Sequence, residues 1–335
     1  MVPEHPFAQY VRILGKGPNL SRALTAAETA AAVRMMMTGE VEPVQLGAFL
    51  CLLRVKTETP QEVAGFVRGI RAALSSPGIA VDLDWPTYAG KARQLPWYLL
   101  AALLLAEGGV RVFMHGVESH TPGRVYAREA LQALGIPVAS SWDDVAAHLG
   151  ANRFAFLPLE KFAPRLQEIL SLRSLLGVRS PVHTVARQVN PLDAPCQILS
   201  VTHPPYRPVH RDAALLLEQP RMVVFKGEGG EAERRPTKPV EIAYVRHGQG
   251  GEEHWPAVLP DAVQSAVPQS GDGAMEPARL GRIWRGDEVD AYATATITGT
   301  AAIALWLLGR AENAERAQTL ATTLWNERNQ KRIAA

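Results

Sequence analysis

The hydrophobic period of this chain changes near Ser75–Gly78, and that change constrains the fold more than any other feature. Before it, apolar residues such as Leu46, Phe49 and Leu53 recur at helical spacing. After it, short β-branched and aromatic runs alternate with helical segments. The pattern predicts a small all-helical domain over residues 1–78, followed by a larger α/β domain with a mostly parallel central sheet.

The opening helices have clear start signals. Thr25 and Glu28 form a capping box in "TAAE", and Thr59 and Glu62 repeat it in "TPQE". Pro43 suits the first turn of the helix between them, because its missing N–H has no helical partner there. We therefore expect three helices that pack into one compact unit.

Strands and helices are predicted in alternation over residues 79–335. The predicted strands are 79–83, 110–114, 153–157, 196–201, 221–226 and 240–245. The predicted helices between and after them are 96–107, 122–134, 141–149, 158–178, 205–219, 290–309 and 311–329. The Gly- and Pro-rich segment 246–282 is predicted to be an ordered insertion or a flexible loop.

Several classes of protein are disfavoured by the sequence. The longest apolar run, Leu99–Ala106, is far shorter than the roughly 20 residues that span a bilayer, so no membrane partner is expected. No secretory signal is evident in "MVPEHPFAQY". Cys51 and Cys196 lack metal-ligand spacing and suggest buried free thiols, so a cytoplasmic protein is expected.

The cations are mostly arginines. The formal net charge is only +2, but seven lysines among 35 cations leave 28 arginines. Arginine is favoured for phosphate forks and for stacking on bases. A GC-rich genome, whose codons favour arginine and alanine, explains the same bias, so this observation carries little weight alone.

The turn "YAGKARQLPW" follows the first predicted strand of the α/β domain, where such folds often bind phosphate through a Gly-rich loop. Gly90 is the one glycine there, and Lys91 and Arg93 add charge. The aromatic rings in and beside this turn belong to Trp85, Tyr88 and Trp97. Two interpretations of them are open, stacking on bases or packing between helix and sheet.

A second cationic stretch lies further along the chain. Arg173, Arg179 and Arg187 fall within fifteen residues that contain no acidic side chain, and Arg207 and Arg211 follow at a predicted βα junction. A polyanion site and a solvated charged face are both consistent with this pattern.

The Gly-rich stretch "KGEGGEAE" carries three carboxylates, at Glu228, Glu231 and Glu233. Oxygen ligands of this kind suit Mg²⁺, although a charged surface loop is the simpler interpretation. The sequence has no G-x-S-x-G, Walker A, H-E-x-x-H or C-x-x-C motif. Nucleophilic and zinc catalysis therefore have no support.

Several segments together carry a family resemblance. They are "LTAAETAAAVRMMMTGEVEPVQLGAFLCLLRVKTETPQEVAGF", "HG" at 115–116 followed by "REALQALGI", "LRSLLGVRS", "NPL" at 190–192, and "KGEGGEAE". Over almost its whole length the chain resembles the anthranilate phosphoribosyltransferases, members of glycosyltransferase family 3. The resemblance implies that a segment near 160–190 returns to the helical domain. It also implies a homodimer formed through the helical domains.

The chain departs from this family where the family binds its substrate. The Gly-Thr-Gly-Gly-Asp loop for phosphoribosyl pyrophosphate is replaced by "YAGKA" at 88–92, and Asn-x-Ser-Thr by "LPWY" at 95–98. Lys-His-Gly-Asn-Arg is replaced by "MHGVE" at 114–118. The metal-binding Asp-Glu pair falls at about Glu231–Ala232, so one carboxylate is missing.

Some family positions remain. Arg173 matches the arginine that binds anthranilate in the family, and "HG" persists at 115–116. The resemblance therefore implies a vestigial ligand site, consisting of Gly90, His115, Gly116 and Arg173.

These losses favour a protein without catalysis, because removing even one charge-stabilising donor can lower a rate by about 10²–10³. The chain resembles the nucleic-acid-binding, non-catalytic branch of the family, which binds DNA or RNA non-specifically and needs no metal or cofactor. The predicted phosphate contacts are Lys91, Arg93, Arg173, Arg179, Arg187, Arg207 and Arg211. The alternative is an active transferase with an altered substrate, in which Arg173 binds an aromatic acid and Glu231 binds Mg²⁺.

Overall fold

A computed structural model describes residues 3–118, 121–260, 263 and 275–333. Its α-helices are α1 Ala8–Gly15, α2 Ala26–Thr38, α3 Pro43–Lys56, α4 Pro60–Ala72, α5 Trp97–Glu107, α6 Ala127–Ala133, α7 Trp142–Asn152, α8 Leu159–Phe162, α9 Pro164–Ser171, α10 Arg173–Leu176, α11 Val182–Val185, α12 Tyr206–Leu216, α13 Ala278–Arg285, α14 Ala291–Leu307 and α15 Ala314–Glu327. Its strands are β1 Leu83–Thr87, β2 Val112–Gly116, β3 Phe154–Pro158, β4 Cys196–Val201, β5 Arg221–Lys226, β6 Val240–Arg246 and β7 Gln249–Trp255.

Local signals account for the starts of several helices. Both predicted capping boxes are present, with Thr25 accepting from the Glu28 N–H and Thr59 accepting from the Glu62 N–H. Helix α1 escaped prediction because Phe7 stands at its N-cap and no side chain caps it. The long helix predicted at 158–178 is instead the three short helices α8, α9 and α10, and Pro164 begins the second of them.

The strands form one sheet in the order β3-β2-β1-β4-β5-β6-β7. β1 to β5 are mutually parallel, whereas β6 and β7 add antiparallel at one edge. The fold is therefore a small helical domain and a larger α/β domain with a mostly parallel sheet, as the sequence predicted.

The predicted position of β1 is wrong, and strand β7 was not predicted. β1 is Leu83–Thr87 rather than 79–83, because the strand includes a buried aspartate and Pro86, which a propensity argument avoids. Pro86 is tolerated because β1 pairs with β4 only at Leu83 and Asp84. The segment 246–282 includes strand β7 and helix α13. The rest of that prediction falls mainly on residues outside the described part of the chain.

Apolar packing connects the returning segment to the helical domain. Leu166, Ile169 and Val185 share one buried cluster with Phe49 and Phe66 of the opening helices. A second cluster lies between the sheet and helices α5 and α14, which are buried all round. The two domains meet where the first cluster also includes Tyr88 and Val117, which follow β1 and β2.

The thiols are free, as expected, but Cys196 is buried and Cys51 only partly so. Among the described residues, no helix combines the length and apolar character needed to cross a bilayer.

Candidate functional site

The site lies at the carboxyl edge of the parallel strands. β1 stands between β2 and β4, so the chain order reverses between β1 and β4. Open α/β sheets bind ligands at such a switch point, in the crevice outside the strand ends. The loops that border it are 88–96 after β1, called here the cradle loop, 117–126 after β2, 202–205 after β4 and 227–239 after β5.

Two neighbouring backbone donors of the cradle loop are already bonded within the protein. Glu231 Oε1 accepts from Ala89 N at 2.7 Å and from Gly90 N at 2.6 Å. Gly90 has a φ of 65°, the conformation that aims successive N–H groups at one acceptor. Glu231 is fully buried. A carboxylate of the chain thus sits where such a loop would hold an external anion.

A second internal carboxylate occupies the start of helix α5. Glu233 Oε2 accepts from Tyr98 N at 2.9 Å in the first turn, where the helix dipole favours negative charge. Burial raises the pKa of Glu233, against the opposing effects of Lys91 and the Tyr98 N–H. Both positions that suit a phosphate, the loop and the helix N-terminus, are therefore filled by side chains.

Lys91 is not the surface cation that the sequence predicted. Its side chain is 1% exposed, and Nζ donates to Glu233 Oε1 at 2.6 Å and to the Glu228 carbonyl at 2.9 Å. A buried charge requires such a partner, because desolvation would otherwise destabilise it strongly. Lys91 therefore links the cradle loop to the loop after β5 and does not face a ligand.

Further backbone groups of the cradle loop are also engaged. Lys91 and Val125 exchange both backbone hydrogen bonds at 2.9 Å. Arg124 Nη1 donates to the carbonyls of Ala89 at 2.9 Å and Gly90 at 3.1 Å. The loop is held from three sides, so its shape is fixed by the protein itself.

The rings of this region pack rather than stack on a ligand. Trp85 and Trp97 are at most 1% exposed, and Tyr88 is 4% exposed. Base stacking by the two tryptophans is excluded in this conformation. Arg93 is exposed, as predicted.

His115 and Gly116, two residues of the expected vestigial site, are buried and form part of the protein core. His115 is fully buried, with Nε2 3.2 Å from Asp84 Oδ1 and Nδ1 2.9 Å from Tyr88 Oη. A side chain on Gly116 would meet the Thr87 carbonyl, because β1 and β2 approach closely there. The imidazole of His115 is therefore engaged within the core and is not free to contact a small ligand.

Four arginines surround the crevice, and we call them the arginine cleft: Arg124, Arg173, Arg179 and Arg187. Arg173 Nη1 contacts Thr121 Oγ1 at 3.4 Å, and Arg187 Nη1 donates to the Gly230 carbonyl at 2.6 Å. No ion pair within the described ranges involves any of the four. The pKa of Arg179 is lowered by burial and by the charges of the other three. The cleft therefore concentrates positive charge without a salt bridge.

A histidine lies against the same arginines. Burial is the main cause that lowers the pKa of His183 to about 4, and Arg179, Arg173 and Arg187 add to it. His183 lines a small cavity of about 40 Å³ together with Tyr88, Arg179 and Arg187. The imidazole is therefore neutral at pH 7, and an anion bound beside it would make its protonation easier.

Two of the predicted phosphate contacts belong elsewhere. Arg207 pairs with Glu241, and Arg211 pairs with Asp212 at 2.8 Å and Glu252 at 3.4 Å. Because α12 packs its side against β6 and β7, carboxylates of those strands neutralise these arginines. The prediction that they join the cationic site is wrong for this conformation.

The structure brings together three predicted residues, Arg173, Arg179 and Arg187, and adds Arg124, which sequence reasoning missed. Arg124 is 49 or more residues from any other member of the cleft, and an isolated arginine in "TPGRVY" gives no signal. The absence of acidic residues between Arg173 and Arg187 was the informative pattern, since it leaves those arginines without local partners.

The residues present do not fit Mg²⁺. Oε1 of Glu231 accepts from two N–H donors, whose partial positive charges disfavour a cation beside them. Oε2 has no hydrogen-bond partner among the described residues, but Ala232 supplies no second carboxylate to complete a metal site. Across the described chain, no group of three or more His, Cys, Asp or Glu residues is placed to hold a metal.

Comparison with known proteins identifies the family. Residues 8–74 match the model of the glycosyl transferase family helical bundle domain, and residues 98–327 match the model of the family's a/b domain. The chain belongs to this glycosyl transferase family. The two matched domains correspond to the helical and α/β parts described above.

Relatives in this family include anthranilate phosphoribosyltransferases. The enzyme of Moorella thermoacetica is 30% identical over 314 residues, covering 89% of this chain and 88% of that protein. The protein named "Uncharacterized protein YbiB" of Escherichia coli is 29% identical over 246 residues, covering 71% and 76%. The crystal structure of the Thermus thermophilus anthranilate phosphoribosyltransferase has the same fold, with a TM-score of 0.79 at 22% identity over 96% of this chain and 94% of that one.

Proposed function

We propose that this protein binds nucleic acid non-specifically and without catalysis, through the phosphates that the arginine cleft can hold. One observation carries the proposal: internal carboxylates occupy the cradle loop and the α5 N-terminus, while no cleft arginine forms an ion pair with any described residue. The small diphosphate site is closed by the chain itself, and the unneutralised charge lies beside it.

The chemistry of the cleft favours a polyanion. A guanidinium presents a rigid fork of donors that matches phosphate oxygens. Arg173 and Arg179 belong to the helical domain's returning segment, whereas Arg124 follows β2. A backbone with regularly spaced phosphates is suited to contact arginines on both sides of the crevice at once.

A salt titration of oligonucleotide binding tests this proposal. We expect the logarithm of the binding constant to fall with the logarithm of salt concentration by ~0.7–0.9 for each phosphate neutralised. The double variant R173A/R179A should bind more weakly and show a shallower slope. R34A, an exposed arginine on α2, is the matched control and should bind as wild type does.

Two results would refute the proposal. One is binding that is insensitive to salt, and the other is an R173A/R179A variant that binds as well as R34A. Single- and double-stranded DNA and RNA are compared in the same buffer, so that the preferred polymer emerges from the same titrations.

An active transferase with an altered substrate is the second candidate. The named activity of the relatives supports it, as does the resemblance of Arg173 to the arginine that binds anthranilate in the family. The self-occupied cradle loop and the poor fit to Mg²⁺ argue against it. Binding of phosphoribosyl pyrophosphate separates the two candidates, as set out at the end of the Discussion.

A homodimer through the helical domains is also proposed. Helix α3 exposes Val44 and Val55, at 78% and 86%, on one side of an otherwise apolar helix. Covering such side chains is favourable by about 25 cal/mol per Å² of apolar surface. Light scattering of V44E/V55E should then report a monomer where the wild type is a dimer. Equal masses would exclude this interface.

A further inference from the structure

A second cavity lies on the other side of the wall formed by Arg179, His183 and Arg187. It has a volume of about 110 Å³, several times the roughly 30 Å³ that one water molecule occupies. Its remaining walls come from the C-terminus of α3, the end of β4 and the start of α12. We call it the β4 pocket.

The β4 pocket is lined by donors of the kind that bind an anion. Its cations are Arg54, Arg179 and Arg187. Its hydroxyl groups belong to Ser180, Thr184, Ser200, Thr202 and Tyr206. No aspartate or glutamate lines it, so the three guanidinium groups meet no carboxylate inside the cavity.

Part of this lining is fixed by the protein and part is available. Arg187 Nη1 contacts Ser200 Oγ at 3.3 Å, and Ser200 Oγ donates to the Gly230 carbonyl at 3.0 Å, so these two side chains are held in place. Thr184 and Thr202 make no side-chain hydrogen bond within the described residues. Helix α12 begins at Tyr206 without a side-chain cap, and its first N–H groups, those of Tyr206 and Arg207, donate to the carbonyls of His203 and Pro204.

Two carboxylates outside the lining act on its cations. Glu58 lies near Arg54 and Tyr206. Burial raises the pKa of Glu58 and so favours its neutral form, which attracts the Arg54 guanidinium less strongly. Glu231 acts on Arg187; its Oε1 accepts from the cradle loop, and its Oε2 has no hydrogen-bond partner among the described residues. The pocket therefore retains a net positive charge.

We propose that the β4 pocket is a binding site for a phosphate group, held by Arg54, Arg179 and the hydroxyl of Thr202. The group is either a free phosphate or phosphomonoester, or one phosphate of a bound strand. If the bound group is a phosphate of a strand, this inference rests on the proposed function. If it is a free phosphate or phosphomonoester, the inference rests only on the donors that line the pocket.

Titration with inorganic phosphate at constant ionic strength tests the site, observed by calorimetry and by the ring C–H signal of His183. The wild type should bind phosphate saturably, and the His183 signal should move because the neighbouring arginines become neutralised. R54Q should weaken phosphate binding about tenfold, since a charge-assisted hydrogen bond is lost. T202V should weaken it less, and R34Q should match the wild type.

Failure of the wild type to bind phosphate, or an R54Q variant that binds as R34Q does, would overturn the site. Both variants lie at exposed positions, and circular dichroism verifies that they are folded. If phosphate binds and competes with an oligonucleotide, the pocket holds a phosphate of the strand. If it binds without competition, the pocket serves a small phosphorylated molecule.

The two proposals fail separately. Saturable phosphate binding without any oligonucleotide binding would support the pocket and reject the proposed function. Oligonucleotide binding without phosphate binding, or competition by phosphate that R54Q does not alter, would reject the pocket and leave the function standing.

Discussion

The cradle loop and the arginine cleft border the same crevice, yet they treat charge in opposite ways. In the cradle loop, Lys91 is 1% exposed and lies 2.6 Å from Glu233, while Glu231 accepts two backbone N–H groups. In the cleft, Arg179 is exposed and its charge is opposed by Arg173 and Arg124 rather than matched by a carboxylate.

The paired charges of the cradle loop stabilise the fold, whereas the charges of the arginine cleft are available to bind an anion. A buried pair with good geometry holds two loops together, and losing one member leaves the other uncompensated. Like charges brought together destabilise the folded chain, and an anion removes that repulsion. Sequence position alone placed Lys91 and Arg179 in the same class, and the structure assigns them to different ones.

The largest effect is expected from K91M. Removing one member of the buried Lys91–Glu233 pair should lower the free energy of unfolding by about 3–5 kcal/mol, because Glu233 keeps a buried, uncompensated charge. Urea unfolding measures the loss. R93M, two residues away on an exposed side chain, should change stability by no more than about 0.5 kcal/mol.

The same variant sharpens the comparison with the cleft. Folded K91M should bind an oligonucleotide as the wild type does, since Lys91 faces Glu233 and not the crevice. A K91M protein with wild-type stability and reduced oligonucleotide affinity would place Lys91 with the ligand-binding cations after all.

Glu231 offers a matched pair of substitutions. E231A leaves the N–H groups of Ala89 and Gly90 buried without an acceptor, at a cost of about 2–4 kcal/mol of unfolding free energy. E231Q keeps an acceptor oxygen, so its loss should be about 1 kcal/mol or less. Equal losses in the two variants would show that the negative charge, rather than the hydrogen bonds, is what the cradle loop requires.

A smaller effect concerns pH. Burial is the main cause that lowers the pKa values of His183 and His210 to about 4 from 6.5, so the unfolded chain takes up protons first as the pH falls. Stability from these groups is complete above pH 6.5 and is lost as the pH falls toward 4. Each should contribute about 2 kcal/mol to the decrease in unfolding free energy between pH 7 and pH 5.

Variants H183N and H210N isolate these contributions. Each should flatten the decrease in stability between pH 7 and pH 5, whatever its effect at pH 7. Saturating phosphate should also flatten the His183 contribution, because a bound anion favours the imidazolium, whereas His210, bonded to Gln188 in the core, should not respond. An unchanged pH dependence in both variants would contradict the assignment.

The sequence predicted those features whose causes are local. Thr25 and Thr59 specify helix starts through residues three positions away, and strands β4 and β5 lie where their apolar runs do. β1 was placed too early because its buried Asp84 and Pro86 are explained only by neighbours distant in sequence. Asp84, for instance, accepts from Gln197 Nε2 at 2.8 Å.

The candidate site depended still more on distant contacts. Glu231 reaches Ala89 and Gly90 across about 140 residues, and nothing in "YAGKA" or "GEGGEAE" signals that contact. The sequence does not distinguish Arg207 and Arg211 from the cleft arginines. In the structure, Glu241 of β6 pairs with Arg207 and Glu252 of β7 pairs with Arg211. Clusters of cations are readable from sequence, but their neutralisation is set by the tertiary fold.

Calorimetric titration of phosphoribosyl pyrophosphate with Mg²⁺ tests the central claim most directly, namely that the chain occupies its own small-diphosphate site. The response of the wild-type protein to an oligonucleotide in the same buffer verifies that it is active in binding. The wild type should give no saturable heat that can be assigned to the cradle loop. Any residual heat should persist in E231Q and vanish in R173A/R179A. Saturable, Mg²⁺-dependent binding that E231Q abolishes would contradict the account and restore the transferase.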